Sequence, residues 1–200
     1  MTKNPSEENT FLEIILQPET ELERQLLKHP DVRQGLMWGK PRYGHPEGAV
    51  YKHVKEVLDN IEKLQVSAEE RKQLRLIALI HDTFKYKEDR HRPRNWNQHH
   101  AVLARRFMDN YTEDELVLTI IQWHDEAYYI WRDIVVHNNK ERGNTRMQRL
   151  LEKLHYKTNL YYLFFYCDSK TGNKNPAPIY WIEKNLIGIH KIIESKSTQQ

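Results

Sequence analysis

The chain has 200 residues, with a formal net charge of +3, 38% hydrophobic and 30% charged residues. That length allows one domain burying roughly 70% of its unfolded surface, and the charge is too small for a duplex-DNA binder while still admitting small anionic ligands. A single cysteine, Cys167, excludes an internal disulfide, and no apolar run approaches the ~18 residues of a membrane span. The polar first ten residues lack the apolar core of a secretion signal, so the expectation is a cytoplasmic protein without a membrane partner. Residues 1–200 read as one domain whose ends, 1–15 and 195–200, are loosely held.

In chain order, Thr20 to Lys28 predicts a helix with Leu22, Leu26 and Leu27 on one side. Gly35 to Gly48 contains Gly39, Pro41, Gly44 and Pro46, a density that forbids a long helix and predicts a packed loop carrying Trp38, Arg42, Tyr43 and His45. From Ala49 to Leu64 the apolar positions Val50, Val54, Val57, Leu58, Ile61 and Leu64 form a helical stripe, with His53 inside it. Ser67 to Glu70 reads as a capping box opening the central helix, which ends Leu76-Ile77-Ala78-Leu79-Ile80-His81-Asp82. Tyr86 to Asn97 reads as a polar loop with Arg90, Arg92 and Arg94. A helix from Asn97 to Tyr111 follows, with His100, Leu103, Ala104, Phe107 and Met108 on one face. Thr112 to Glu115 predicts a second capping box, opening a long helix through Trp123 and His124 as far as Val136. A Gly143-Asn144 turn and a cap at Thr145 precede the next helix. Leu160 to Cys167 could be a buried strand by composition, but its length and context favour helix. A loop from Thr171 to Pro178 and a last helix from Ile179 to Ile193 complete an all-α reading.

Five of these segments place an ionisable group on, or at the end of, an apolar face: His53, His81-Asp82, His100, His124 and Asp168. A single semi-buried histidine is ordinary, whereas an aspartate is almost never fully buried without a partner. Convergence on one polar centre explains all of them together. Imidazoles and carboxylates in an apolar setting suit Zn, Fe, Mn or Ni alike. Adjacent positions such as His81 and Asp82 point roughly 100° apart on a helix, so they can reach one cation from two sides or two neighbouring cations. His99 neighbours His100, and a helix register shifted by one residue makes His99 the ligand instead.

The order His53, His81-Asp82, Asp168 resembles the signature of the HD-domain metal-dependent phosphohydrolases: a histidine, a His-Asp pair and a distant aspartate. Gly44 to His53 resembles the segment before the first histidine of many members, and His81-Asp82-Thr83-Phe84-Lys85 resembles the family's HDxxK form. His100-Ala101 and Trp123-His124 stand where two-metal members, among them the HD-type diadenosine tetraphosphatases, place two further histidines. Lys85 stands where the 5′-deoxynucleotidase branch carries an acidic residue. Glu88-Asp89 comes later than the Glu-Asp pair of the alarmone-hydrolase branch and reads as polar loop.

The resemblance implies an all-α HD-domain helical bundle with a metal centre between helices. It implies hydrolysis of a phosphate ester or anhydride of a small, nucleotide-like phosphorylated substrate. One or two divalent transition metal ions would be held by His53, His81, Asp82, His100, His124 and Asp168, with Asp82 bridging. Asp82 and Lys85 are the catalytic candidates, and Lys85 the substrate-binding one; a solvated helix-end lysine is its equal alternative. The competing reading of the whole chain is a non-catalytic, metal-stabilised binding or sensing module. Nothing in the pattern sets an oligomeric state. Asp125-Glu126 read as groups behind the ligands or as solvent-facing. Tyr128, Tyr129, Trp131 and Arg132 read as packing or as a surface for a base, and Cys167 as core.

Overall fold

The computed structural model describes residues 5–41, 46, 48–89, 91 and 93–192. It is all-α: eleven α-helices joined by short 3-10 and π segments, with no strand among the described residues. Within those residues no helix is long and apolar enough to cross a membrane. Arg42, Tyr43, Gly44, His45, Arg90, Arg92 and the expected loose tail at 195–200 lie outside the described residues.

The central helix α5 (Ala68–Ile80) begins on the expected capping box, with Ser67 and Glu70 bonding each other's backbone. Leu74, Ile77, Ala78, Leu79 and Ile80 are all buried, as a helix without a polar side must be. Arg75 is also buried, paired with the equally buried Glu23 (3.0 Å) on α2 (Glu21–Lys28) and donating to the Gln17 carbonyl (2.8 Å). Around α5 pack α4 (Val50–Ile61), α7 (Glu115–Trp123) and α10 (Thr158–Ser169). α4 and α10 are tied by Asn60, whose side-chain amide donates to the carbonyls of Cys167 (3.0 Å) and Lys170 (3.1 Å).

Several expectations are corrected. The chain is not loose as far as residue 15: α1 (Pro5–Leu16) is a helix whose Leu12 and Leu16 sit in the core. Gly35 is not loop but lies in α3 (Pro30–Met37), where its missing Cβ lets the helix touch the backbone of Thr83. Helix α6 (His100–Met108) is shorter than Asn97–Tyr111 and is entered through a 3-10 turn, Trp96–Gln98.

The Thr112 capping box does not form, because Asp114 caps α7 and accepts from Leu116 and Val117. The long helix to Val136 breaks at His124-Asp125 and resumes as α8 (Glu126–Trp131), which passes into a π-helix, Arg132–Val136. There is no turn at Gly143 either. Asn139 caps α9 (Lys140–Lys153), which runs through Gly143 because a Cβ there would lie 2.2 Å from Ile134. The last helix, α11 (Ala177–Asn185), starts with Pro178 in its first turn and ends eight residues early. The 160–167 run is helix, as α10, and eight consecutive residues of it are buried.

Candidate metal centre

Helix ends build the site. α5 stops at His81, and Asp82 follows as the chain tightens into the 3-10 turn Thr83–Lys87. His100 opens α6, His124 closes α7, Asp168 lies in the last turn of α10, and His53 faces inward from the first turn of α4. All six sequence candidates are brought together, and all but Asp168 are no more than 4% exposed.

Two clusters share Asp82. On one side, His53 Nε2 lies 3.3 Å from His81 Nε2, 2.9 Å from Asp168 Oδ1 and 3.7 Å from Asp82 Oδ2. His81 Nε2 is 3.6 Å from the same Asp82 oxygen. On the other side, Asp82 Oδ1 is 3.4 Å from His100 Nε2 and 3.5 Å from His124 Nε2, and those two nitrogens are 3.5 Å apart. In each of the sets His53, His81, Asp82 and Asp82, His100, His124 the donor atoms lie within 4.8 Å of one another.

Backbone and side-chain partners decide which nitrogen faces inward. His81 Nδ1–H donates to the Ala78 carbonyl (3.0 Å) and His124 Nδ1–H to the Ile121 carbonyl (2.9 Å). His100 Nδ1–H donates to Glu88 Oε2 (3.3 Å). With those protons fixed, the neutral forms of His100 and His124 turn two Nε2 lone pairs towards each other and towards a carboxylate. Such an arrangement is satisfied by a proton or by a cation, and partners of this kind behind imidazoles are what metal sites employ. The donor set therefore fits one or two divalent transition ions without forcing a choice among Zn, Fe, Mn and Ni.

The electrostatics agree with the geometry. Burial disfavours ionised Asp82, but Lys85 and His81 outweigh it and hold the carboxyl well below its usual range. Burial likewise opposes Asp168, and Lys174 and His53 overcome it. Burial drives His81 down to about 3, so it is a neutral imidazole. For His124 burial is outweighed by Asp125 and Asp82, which push it up to about 9.

Lys85 is not a solvated helix-end lysine. Its ammonium pairs with Asp82 Oδ2 inside the cluster, and its side chain is only 17% exposed. His99 caps α6 by accepting from Ala101 N–H (3.3 Å), while His100 points at Asp82; with Glu88 and His100, His99 also forms a third group whose donor atoms lie within 4.8 Å of one another.

Two residues of the site, Glu88 and Lys174, were not assigned to it from the sequence, and Asp125 was read there only as a group behind the ligands or as solvent-facing. Glu88, discounted as loop, is nearly buried, orients His100 and pairs with Arg94. Lys174 reaches back from the 171–178 loop to Asp168 Oδ1 (3.0 Å) and to its carbonyl (2.9 Å). Asp125 Oδ2 lies 3.6 Å from both His100 Nε2 and His124 Nε2. Of the two missed residues, only Glu88 carried a sequence signal, an acid within a turn or two of the His-Asp pair. Cys167 is core, its thiol pushed up to about 12 by burial.

Asp125 also lines a cleft of about 700 Å³ running past Trp123, Tyr129 and Arg146 to α9. The result is an all-α bundle whose helix ends gather histidines and aspartates about one shared carboxylate, a donor set that could hold a metal ion. The chain matches the model of the HD domain over residues 50–155, more than half its length, and it belongs to the HD domain family. The matched segment contains His53, His81, Asp82, His100 and His124, and Asp168 lies beyond it. Comparison with curated proteins and with solved structures gives no match.

Proposed function

We propose that the chain is a metal-dependent phosphohydrolase cleaving a phosphate ester or anhydride of a small, nucleotide-like substrate. HD domains are commonly enzymes of that type, and one observation carries the reading here: Asp82 turns one oxygen to the His53–His81 pair and the other to the His100–His124 pair. One or two divalent cations held by these residues and Asp168 would polarise the phosphoryl oxygens and lower the pKa of water. The chain supplies the rest. Lys85, an ammonium on the rim of both clusters, offers a charge-assisted hydrogen bond to a phosphate oxygen. Asp82 and Asp168, kept ionised, are acceptors able to orient an attacking water by a hydrogen bond.

The leaving group has room in the cleft beside Asp125, whose volume is within the usual range of ligand pockets. Two of the cleft's arginines are already matched by acids. Arg146 pairs with Glu126 (2.7 Å) and Asp133 (3.0 Å), and Arg142 with Asp133 (3.1 Å). That balance, beside Trp96, Trp123 and Tyr129, favours an uncharged nucleoside end over a chain of further phosphates.

The test is a panel of nucleoside monophosphates, cyclic nucleotides and dinucleoside polyphosphates offered to protein reconstituted with Mn, Fe, Ni or Zn. Phosphate release that stops on chelation and returns with metal is the expected result. Tight metal binding without turnover of any member would leave a binding module instead.

Metal uptake should also release a proton. Because His124 holds one up to about pH 9, a cation binding there at pH 7 must displace it, and apparent affinity should rise about tenfold per pH unit until that range is passed. Calorimetric titrations in two buffers of different ionisation enthalpy measure the count; a value near zero at pH 7 would show that His124 carries no proton in the metal-free protein.

A further inference from the structure

The break between α7 and α8 has an unusual cap. A helix starting at Glu126 calls for its preceding residue, Asp125, to bond the first backbone N–H groups. Asp125 makes no such bond. Its carboxylate turns the other way and sits 3.6 Å from Nε2 of both His100 and His124. The task falls to Tyr161, a fully buried residue of α10. The Tyr161 hydroxyl accepts from Ala127 N–H (2.9 Å) and donates to the Trp123 carbonyl (3.1 Å), with the His124 carbonyl 3.4 Å away. One hydroxyl thus satisfies an amide of the new helix and a carbonyl of the old one, on either side of the two site residues.

We propose that Asp125 is a donor of the second cation cluster, beside Asp82, His100 and His124, and that Tyr161 is the positioning residue that frees it for that role. The proposal rests on the reading of the His/Asp centre as a metal site. It does not rest on the reaction catalysed.

The geometry supports both halves. Asp125 is the most open member of its cluster, its side chain 37% exposed, and it also lines the cleft. A carboxylate there would add the second negative charge that a divalent ion facing two neutral imidazoles needs. Tyr161 meets the cluster residues only at the main-chain carbonyl of His124 (3.4 Å), so it acts through the turn it pins. Without its hydroxyl, Ala127 N–H would lose its acceptor, and Asp125 would be the nearest replacement.

The experiment is a Mn(II) titration of chelator-treated protein by calorimetry, read alongside thermal melting of the metal-free forms. The variants are Asp125→Asn, Tyr161→Phe and the double substitution. Wild type should show two binding events. Asp125→Asn should weaken the second at least tenfold and leave the first unchanged. Tyr161→Phe should weaken the second several-fold, and in the Asp125→Asn background should have no further effect on it. A fall in melting temperature alone, or equal weakening by Tyr161→Phe in both backgrounds, would reduce Tyr161 to a structural residue and overturn its half of the proposal. Unchanged second-site affinity in Asp125→Asn, or a single binding event in wild type, overturns the other half. Hydrolysis of the phosphate panel, measured separately, tells whether the phosphohydrolase reading survives either result.

Discussion

Asp82→Asn is expected to abolish hydrolysis, lowering the rate by on the order of 10³-fold or more, and to cut bound metal from about two ions per chain to one or none. Asparagine preserves the shape of the side chain but keeps only one oxygen acceptor, and its amide nitrogen brings two protons. In the native arrangement both oxygens face imidazole nitrogens, at 3.4–3.7 Å, so whichever way the amide is turned one cluster meets an N–H₂ instead of a lone pair. The negative charge that stabilises ions on both sides is lost as well. The substitution also leaves the Lys85 ammonium without its carboxylate, a loss worth about 1–3 kcal/mol, against which the removal of a buried charge works in the opposite direction. Thermal melting therefore accompanies the assay. A folded, metal-loaded variant with wild-type turnover would remove Asp82 from the centre of the mechanism.

Asp82 and the five residues gathered around it were legible because each sits on, or at the end of, a helix face where periodicity demands apolar side chains. His53 interrupts the stripe of α4, and Asp168 follows the buried run of α10. Periodicity also exposes the helix α5, whose buried end forces His81 and Asp82 inward. What it does not expose is where a helix gives way without an apolar break. Nothing local marks the bend at His124-Asp125, because the stabilising group is the Tyr161 hydroxyl, contributed from 34 residues away. The bend is what brings the side chains of two consecutive residues to one cluster, so without it the sequence left Asp125 open between a group behind the ligands and a solvent-facing one.

Gly143 shows the converse error. Glycine followed by asparagine reads as a turn, yet the glycine is inside α9 for close approach to Ile134. Lys174 could not be found from the chain at all. A lysine six residues beyond Asp168 in a Gly/Asn/Pro loop has no pattern of its own, and only the folded loop brings its ammonium to Asp168. Glu88 was misjudged for a related reason. Polar neighbours suggest solvent, but the 3-10 turn Thr83–Lys87 carries the carboxylate back against His100 and Arg94.

Gly35→Ala should be the most damaging substitution outside the cluster. It would place a Cβ 1.9 Å from the Thr83 carbonyl oxygen and 2.8 Å from its carbon. Those are main-chain atoms, so no rotamer change relieves the overlap. Thr83 is also held from the other direction, since its hydroxyl donates to the Leu79 carbonyl at 2.7 Å. Alanine is the better helix former by about 0.5–1 kcal/mol, but overpacking against backbone costs about 3 kcal/mol or more, and the second effect wins. For a chain of this size that corresponds to a fall in melting temperature of roughly 5–10 °C. The displaced segment follows Asp82 directly and carries Lys85, so metal affinity should fall together with stability even though Gly35 touches neither cluster. Gly143→Ala is the control. It meets Cγ1 of the β-branched Ile134 at 2.2 Å, so it costs stability too, but α9 supplies none of the six candidate ligands. It should therefore lower the melting temperature and leave metal binding intact. If Gly35→Ala melts at the wild-type temperature, or loses stability while binding Mn(II) with unchanged affinity, then the contact between α3 and Thr83 does not position the centre.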